Sequence, residues 1–285
     1  MAKDIDPPQG RISRFFDLLG RTMIVAGLLM LSFVAYQLWG TGFTEGRAQN
    51  TLASQFVTQQ PAKPQFGDLV GKITIPSIGV SKFIVAGVGT KDLARGPGLF
   101  PGSPLPGQLG NVAIAGHRTT YGAPFGRINE VRENSVITLE SREGTFTYVV
   151  QGEPQIIEAT NVSVVRTTDP TAATLTLVSC HPKWTSSQRI IVVAKLQSTS
   201  PAQPATPLPV ANETQRVNNG WFHDSSAWPL ALSLAGILIA IATVAFVLRR
   251  RGRGAFIVYP IALVVFIPVL FLFFTALTRL LPANL

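Results

Sequence analysis

Hydrophobic and polar positions divide this chain into three uninterrupted apolar runs and one long segment in which apolar and polar residues alternate. The apolar runs cover residues 22–39, 229–248 and 255–278, and none of them contains a charged residue. At about 1.5 Å per residue, even the shortest would span roughly 27 Å, close to the hydrocarbon thickness of a bilayer. The first run also exceeds the apolar core of a cleavable signal peptide. We therefore expect three transmembrane helices, the first of them an uncleaved anchor.

The alternating segment lies between the first and second apolar runs and is interrupted by Gly, Pro and Asn residues typical of turns. Short runs of this kind predict a mainly β domain with about eight strands, closed or nearly closed into an antiparallel barrel. The predicted strands are residues 69–75, 82–88, 111–115, 136–139, 145–150, 154–159, 174–179 and 190–196.

Connecting segments complete the predicted organisation. Residues 44–60 favour a stalk helix with Leu52 and Phe56 on one face. Residues 96–110 are too rich in Gly and Pro for helix or strand and predict an ordered loop that forms one wall of a binding groove. The predicted divisions are a cytoplasmic N-terminus (1–21), transmembrane helix (22–39), stalk (40–66), catalytic barrel (67–197), Pro-rich spacer (198–228), transmembrane helix (229–248), cytoplasmic Arg-rich loop (249–254), transmembrane helix (255–278) and extracytoplasmic tail (279–285).

The net charge of +9 comes largely from arginines that flank the apolar runs. These arginines are Arg11, Arg14, Arg21, Arg249, Arg250, Arg251 and Arg253. Because positive charge favours the cytoplasmic side, the N-terminus and the loop between the last two helices are expected inside, and the β domain outside. A basic groove interleaved with aromatic residues is missing from the sequence, so nucleic acid is not an expected partner.

The chain contains one cysteine, Cys180, which excludes an internal disulfide. Its three histidines, His117, His181 and His223, show no metal-ligand spacing with that cysteine. Neither a metal nor another cofactor is therefore expected.

Cys180 ends a predicted strand, Arg189 begins the next, and His117 follows an earlier strand. A thiol, an imidazole and a guanidinium at the ends of neighbouring strands would suffice for covalent acyl transfer. His117 is the preferred partner of the thiol, because His181 is adjacent to Cys180 and would point to the opposite face of the strand. Arg189 suits the oxygen of a carbonyl that becomes an oxyanion.

These motifs resemble those of the sortases, whose signature is TLxTC followed by an arginine on a strand. Here the sequence TLVSC ends at Cys180, so Ser179 stands where the signature has threonine and keeps the hydroxyl. The resemblance covers roughly residues 71–196. The segment GHRTTYGAPF, residues 116–125, with LPGQLGN before it, is most similar to the actinobacterial class E group.

The resemblance implies a sortase-type barrel that acts as a transpeptidase. Cys180 would attack the Thr-Gly carbonyl of an LAxTG or LPxTG sorting signal on a secreted protein, and a thioester would form. His117 would protonate the departing amine, and Arg189 would hold the oxyanion. An amine of lipid II or of a peptidoglycan stem peptide would then accept the acyl group. Further residues predicted to contact the substrate are Thr119, Thr120, Tyr121, Ser179, Phe100 and Trp184, with Tyr121 a candidate for the tyrosine linked to LAxTG preference.

Three alternatives remain open. A pilin-polymerising sortase of class C would share the terminal helices, but the Asp-Pro-aromatic lid of that class does not occur before His117. A hydrolytic papain-like protease would place its cysteine before its histidine, the reverse of the order here. A non-catalytic peptide-binding module would also fit a membrane-anchored barrel.

Overall fold

A computed structural model of the chain describes residues 11–197, 204–209 and 225–280. Most of the predicted spacer 198–228, with His223, and most of the predicted tail 279–285 lie outside these residues. Three of the described helices are long and apolar enough to cross a membrane.

The N-terminal apolar run and the predicted stalk form one unbroken helical rod. Helix α1 (Arg11–Ala35) passes through a single π-helical segment (Tyr36–Gly40) into α2 (Thr41–Thr58). Leu52 is fully buried against the β domain and Phe56 packs beside it, which confirms that the two residues share a face.

The two C-terminal apolar runs are helices α4 (Trp228–Arg250) and α5 (Ala255–Leu280). The beginning of α4, at Ala231 and Leu234, packs against the end of α5, at Ala276 and Leu280. The two helices therefore form an antiparallel hairpin.

Between these helical parts lies a barrel of β-strands, and a short helix, α3 (Thr90–Leu93), lies between its second and third strands. The strands of the described chain are β1 (Leu69–Ile75), β2 (Val80–Ala86), β3 (Gly98–Leu99), β4 (Gly110–Ala115), β5 (Val136–Ser141), β6 (Gly144–Val150), β7 (Gln155–Glu158), β8 (Ala173–His181) and β9 (Gln188–Leu196).

Strand pairing closes a ring of eight strands in the order β6-β5-β1-β2-β3-β4-β8-β9, and the second half of β9 pairs back onto β6. Strand β7 is attached to the first half of β9, beside this ring. The predicted eight-stranded closed barrel is thus confirmed. The expectation that it is antiparallel throughout is wrong, because β3 is parallel to β2 and β8 is parallel to β4.

The prediction that residues 96–110 contain no strand is also wrong, because Gly98–Leu99 bridges β2 and β4. A Cβ atom at Gly98 would overlap the carbonyl group of Gly87, so only glycine permits this close approach of the two strands. The glycine that indicates a loop in the sequence is what allows the strand to form.

Side chains alternate between the interior and the outside of the barrel along β4, β8 and β9. The interior side chains of these strands, all buried in the core, are Val112, Ile114, Leu175, Leu177, Ile190, Val192 and Ala194. Cys180 and Arg189 belong to the other set of positions in this alternation, which places them on the outer face. Phe125 and Ile128, from the segment after β4, also pack into the core and fix that segment to the barrel.

Candidate active site

Cys180 and Arg189 lie directly opposite each other across the antiparallel pair β8 and β9. Directly opposed residues on one face have Cβ atoms about 4.5 to 5.5 Å apart. The thiol is therefore within reach of the guanidinium, and only 6% of Cys180 is exposed.

His117 reaches the same place through the parallel pairing of β4 with β8. Ala115 pairs with Val178, and the N–H of Gly116 donates to the Val178 carbonyl oxygen over 3.1 Å. Continuing this pairing by two residues on each side, from Ala115 to His117 and from Val178 to Cys180, places His117 beside Cys180. The three residues predicted to carry the chemistry therefore come together from three adjacent strands.

The imidazole of His117 is almost completely covered, with 8% of the residue exposed. The ring of Tyr121 lies over it with centroids 5.1 Å apart, and Nε2 of His117 has no hydrogen-bond partner among the described residues. Burial lowers the pKa of His117 to about 4, since a low-dielectric environment disfavours the imidazolium.

The thiol of Cys180 is also held in its neutral form. Burial raises its pKa, while the positive charges of Arg189 and Arg118 act in the opposite direction. Both reacting groups are thus uncharged at neutral pH in this conformation, and a charged pair requires a change in the surroundings of the imidazole.

Arg118, which directly follows His117 in the motif GHRTTYGAPF, is a further residue of the site. Its side chain is buried, and one terminal nitrogen donates to the Cys180 carbonyl oxygen at 3.0 Å and lies 3.1 Å from Nδ1 of His181. The other terminal nitrogen donates to Oδ1 of Asn129 at 2.9 Å. Arg118 therefore fixes the end of β8 that carries the thiol. This contact depends on the parallel register of β4 and β8, so the only indication of it in the sequence is the position of Arg118 directly after His117.

Arg189 also holds the connection between β8 and β9. Its Nη1 donates to the carbonyl oxygens of Ser186 at 2.8 Å and Gln188 at 2.9 Å. Trp184, on the same connection, is 70% exposed beside Lys183. An indole exposed on this connection is accessible to a ligand.

The remaining predicted substrate contacts divide into two groups. Thr119, Thr120 and Tyr121 are half-buried in the segment that directly follows His117. Phe100 is half-buried beyond β3, where its N–H donates to the Ala113 carbonyl oxygen on β4.

Ser179 lies on the interior side of β8 and is only 2% exposed. Its hydroxyl donates to the Gly116 carbonyl oxygen over 2.7 Å. This placement favours a role in holding β4 to β8 over direct contact with a substrate.

The described residues contain no group of three or more His, Cys, Asp or Glu side chains placed to hold a metal ion.

A closed β-barrel that presents a cysteine, a histidine and an arginine at the ends of adjacent strands defines the class of cysteine-dependent acyl-transfer barrels. Residues 73–197 match the family model of the Sortase domain, so this segment of the chain is a sortase domain.

Among its relatives, sortase SrtE1 of Streptomyces coelicolor is 30% identical over 212 residues, which cover 66% of this chain and 59% of that protein. Sortase SrtE2 of the same organism is 26% identical over 217 residues, covering 67% of this chain and 85% of that protein. The structure of sortase E from Streptomyces avermitilis covers 47% of this chain and 91% of its own, with 34% identity and a TM-score of 0.42. The chain thus spans about three fifths of the length of SrtE1. The two relatives support the resemblance to class E.

Proposed function

We propose that this protein is a membrane-anchored cysteine transpeptidase that cleaves the Thr-Gly bond of a sorting signal and transfers the acyl group to a cell-wall precursor amine. The observation that carries the proposal is the register of three strands, which puts Cys180 opposite Arg189 and beside His117. The sortase family of the barrel supports the same reaction.

In the first half-reaction, the Cys180 thiol passes its proton to His117 as its sulfur attacks the threonine carbonyl carbon and the C–S bond forms. The oxyanion that develops is stabilised by the guanidinium of Arg189. The C–N bond to glycine then breaks, and His117 gives its proton to the departing amine. A thioester between Cys180 and the substrate remains.

In the second half-reaction, an acceptor amine attacks the thioester carbonyl. His117 now takes the proton from the attacking nitrogen, the new amide bond forms, and the C–S bond breaks. His117 passes this proton to the departing sulfur, which restores the thiol of Cys180 and the neutral imidazole, so the cycle needs no oxidant or cofactor.

The substrates are secreted proteins with an LAxTG or LPxTG signal, and the acceptor is an amine of lipid II or of a peptidoglycan stem peptide. The contact between the rings of Tyr121 and His117 supports a role for Tyr121 in signal preference. The exposure of Trp184, on the connection between β8 and β9, supports a second substrate contact there. Thr119, Thr120 and Phe100 are further candidate contacts.

The enzyme has its N-terminus in the cytoplasm and its barrel outside. Three apolar helices support membrane anchoring, and the arginines beside them support this orientation. Substrate and lipid-linked acceptor would then reach the site from the membrane surface.

The test uses the full chain in detergent, with LAxTG and LPxTG peptides, in the presence and absence of an excess of a small amine. An amine-linked product from the wild type and none from Cys180→Ala is the expected result. Hydrolysis that is unaffected by the amine would favour a protease. Peptide binding without any product would favour the non-catalytic module.

A further inference from the structure

One side of α2 is buried against the barrel through polar residues with specific partners. Thr41, Glu45, Gln49 and Leu52 recur at helical spacing and are between 0% and 9% exposed. Glu45 forms an ion pair of 2.6 Å with Lys82 on β2. The amide of Gln49 both donates to and accepts from the backbone of Phe83. Because such contacts fix position as well as affinity, α2 is held on the barrel in one register.

The first of these residues, Thr41, contacts the segment that follows His117. Its hydroxyl accepts from the N–H of Tyr121 over 2.9 Å and donates to the Gln37 carbonyl oxygen over 2.8 Å. The hydroxyl therefore links the π-helical turn before α2 to the active-site loop, which we define as residues 118–126.

The active-site loop has a conformation that requires support from its neighbours. Tyr121, Gly122 and Ala123 have φ values of 49°, 71° and 45°, in the left-handed region that disfavours residues with a Cβ. A Cβ on Gly122 would lie 2.7 Å from Oε2 of Glu45, so the loop rests directly on α2. Such backbone conformations persist where the surrounding structure imposes them, and they occur at functional sites.

The contact between loop and helix determines how His117 is covered. Tyr121 is bound by its backbone to Thr41 and lies with its ring on His117. Among the charged and titratable groups, Tyr121 lies on the imidazole, Cys180 and Arg189 are at the neighbouring strand ends, and Glu45 and Lys82 lie against Gly122 of the active-site loop.

Helix α5 contacts the same turn of the N-terminal rod. The hydroxyl groups of Tyr36 and Thr275 are 3.0 Å apart, and Nε2 of Gln37 donates to the Thr278 hydroxyl over 3.4 Å. Gln37 is also the residue whose carbonyl accepts from Thr41. This turn is π-helical, a local departure that is frequent at functional sites.

We propose that α2 holds the active-site loop closed over His117, that Thr41 is the positioning residue of this contact, and that α5 steadies the turn that carries Thr41. The role given to His117 rests on the proposed function, whereas the contact and its consequences for the site do not. The C-terminal helix pair thereby acts on the site as well as on membrane attachment.

The test measures alkylation of Cys180 by iodoacetamide in the full chain in detergent, followed by intact mass from about pH 4 to about pH 9. The sole cysteine of the sequence makes the signal specific. Thr41→Val keeps the shape of the side chain and removes both hydrogen bonds, and Thr41→Ser restores the hydroxyl. Thr51→Val is the matched control, because Thr51 is an exposed residue of α2 whose hydroxyl bonds only within the helix at 3.2 Å.

Loosening the loop lets water reach the imidazole, so the charged His117 that favours the thiolate becomes more populated. We expect Thr41→Val to alkylate about tenfold faster than wild type near pH 7, with Thr41→Ser and Thr51→Val close to wild type. The alkylation rate plotted against pH should show an inflection due to His117, identified by its absence from His117→Gln. In Thr41→Val, this inflection should move from about pH 4 towards the ordinary histidine value of 6.5. Tyr36→Phe and Thr275→Val should shift the rate in the same direction by a smaller factor.

The proposal would be overturned if Thr41→Val had the same alkylation rate and the same inflection pH as wild type. An equal effect of Thr51→Val would do the same, since general loosening of α2 would then explain the change. Unchanged rates in Tyr36→Phe and Thr275→Val would overturn the part assigned to α5. Because alkylation needs no peptide turnover, a failure of the proposed reaction would not produce any of these results.

Discussion

At the scale of single residues, the site is held together by a guanidinium that does not belong to the predicted catalytic set. Arg118 is 5% exposed and connects the Cys180 carbonyl, the His181 ring and the Asn129 amide. Cys180 is buried and His181 is half-buried, whereas Asn129 is exposed, so the largest effect of removing the guanidinium is the loss of a charged hydrogen bond to a buried carbonyl group.

Arg118→Met should therefore lower the free energy of unfolding by about 3 kcal/mol and weaken the placement of the thiol. Thermal unfolding of the full chain in detergent measures the effect. Arg142→Met is the control, because Arg142 is exposed in the turn after β5 and should change stability by less than about 0.5 kcal/mol. Equal midpoints for the two variants would show that Arg118 contributes nothing to the site.

Burial of His117 also predicts how stability depends on pH. Its folded pKa of about 4 lies below the ordinary value of 6.5, so the unfolded chain binds the proton more readily between these values. The contribution of His117 to stability is then largest above about pH 6.5 and falls by roughly 3 kcal/mol as the pH approaches 4. His117→Gln should flatten this dependence in unfolding measurements across that window, and an unchanged slope would contradict the buried, neutral imidazole.

Residue types and spacing were enough to select Cys180, His117 and Arg189 from the sequence, because few side chains supply a nucleophile, a proton donor and an oxyanion partner. The contacts of Arg118 and Thr41 could not be predicted in this way. Each depends on register between segments far apart in the chain, 62 residues from Arg118 to Cys180 and 80 from Thr41 to Tyr121.

At the scale of elements, alternation predicted eight strands, but the pairing partners required the structure. A period of two fixes which side chains share a face and says nothing of whether neighbouring strands run parallel. The parallel pair β4 and β8 places His117 beside Cys180. The site therefore depends on a parallel pairing, whereas the alternation pattern led to the expectation of an antiparallel barrel. Strand β3 was missed because its glycine is also the commonest signal for a loop.

Docking of α2 is the second feature at this scale. The Glu45 side chain is 3% exposed and the Lys82 side chain 26% exposed, so their ion pair is largely removed from water. Lys82→Met leaves the carboxylate buried without its partner and should destabilise the full chain by about 3 kcal/mol. The double change Lys82→Met with Glu45→Gln should recover most of that loss in the same unfolding experiment.

Lys72 and Glu140 provide a matched control on the neighbouring strands, with side chains 29% and 34% exposed and 3.5 Å between the charged atoms. Lys72→Met should cost less than about 1 kcal/mol, as expected for a solvated ion pair. Similar losses for Lys72→Met and Lys82→Met would contradict the specific docking of α2.

At the scale of the whole molecule, the proposed topology places the barrel on one side of the membrane and the arginine-rich turn between α4 and α5 on the other. The natural cysteine is buried, so exposed probes are needed. In a Cys180→Ala background, Glu143→Cys lies in the exposed turn between β5 and β6, and Arg251→Cys lies in the turn after α4. A membrane-impermeant maleimide should label the first in intact cells and the second only after permeabilisation. The reverse pattern would invert the proposed orientation.

The central claim for the whole molecule is that Cys180 forms an acyl intermediate that an amine resolves. The most direct measurement is the intact mass of the full chain after brief mixing with an LAxTG or LPxTG peptide. We expect a mass increase equal to the acyl fragment ending in threonine, sensitive to hydroxylamine, present in wild type and missing from Cys180→Ala. Added amine should remove the adduct and yield the amine-linked peptide. An adduct of the same mass on Cys180→Ala, or amine-linked product from that variant, would contradict the assignment of Cys180 as the nucleophile.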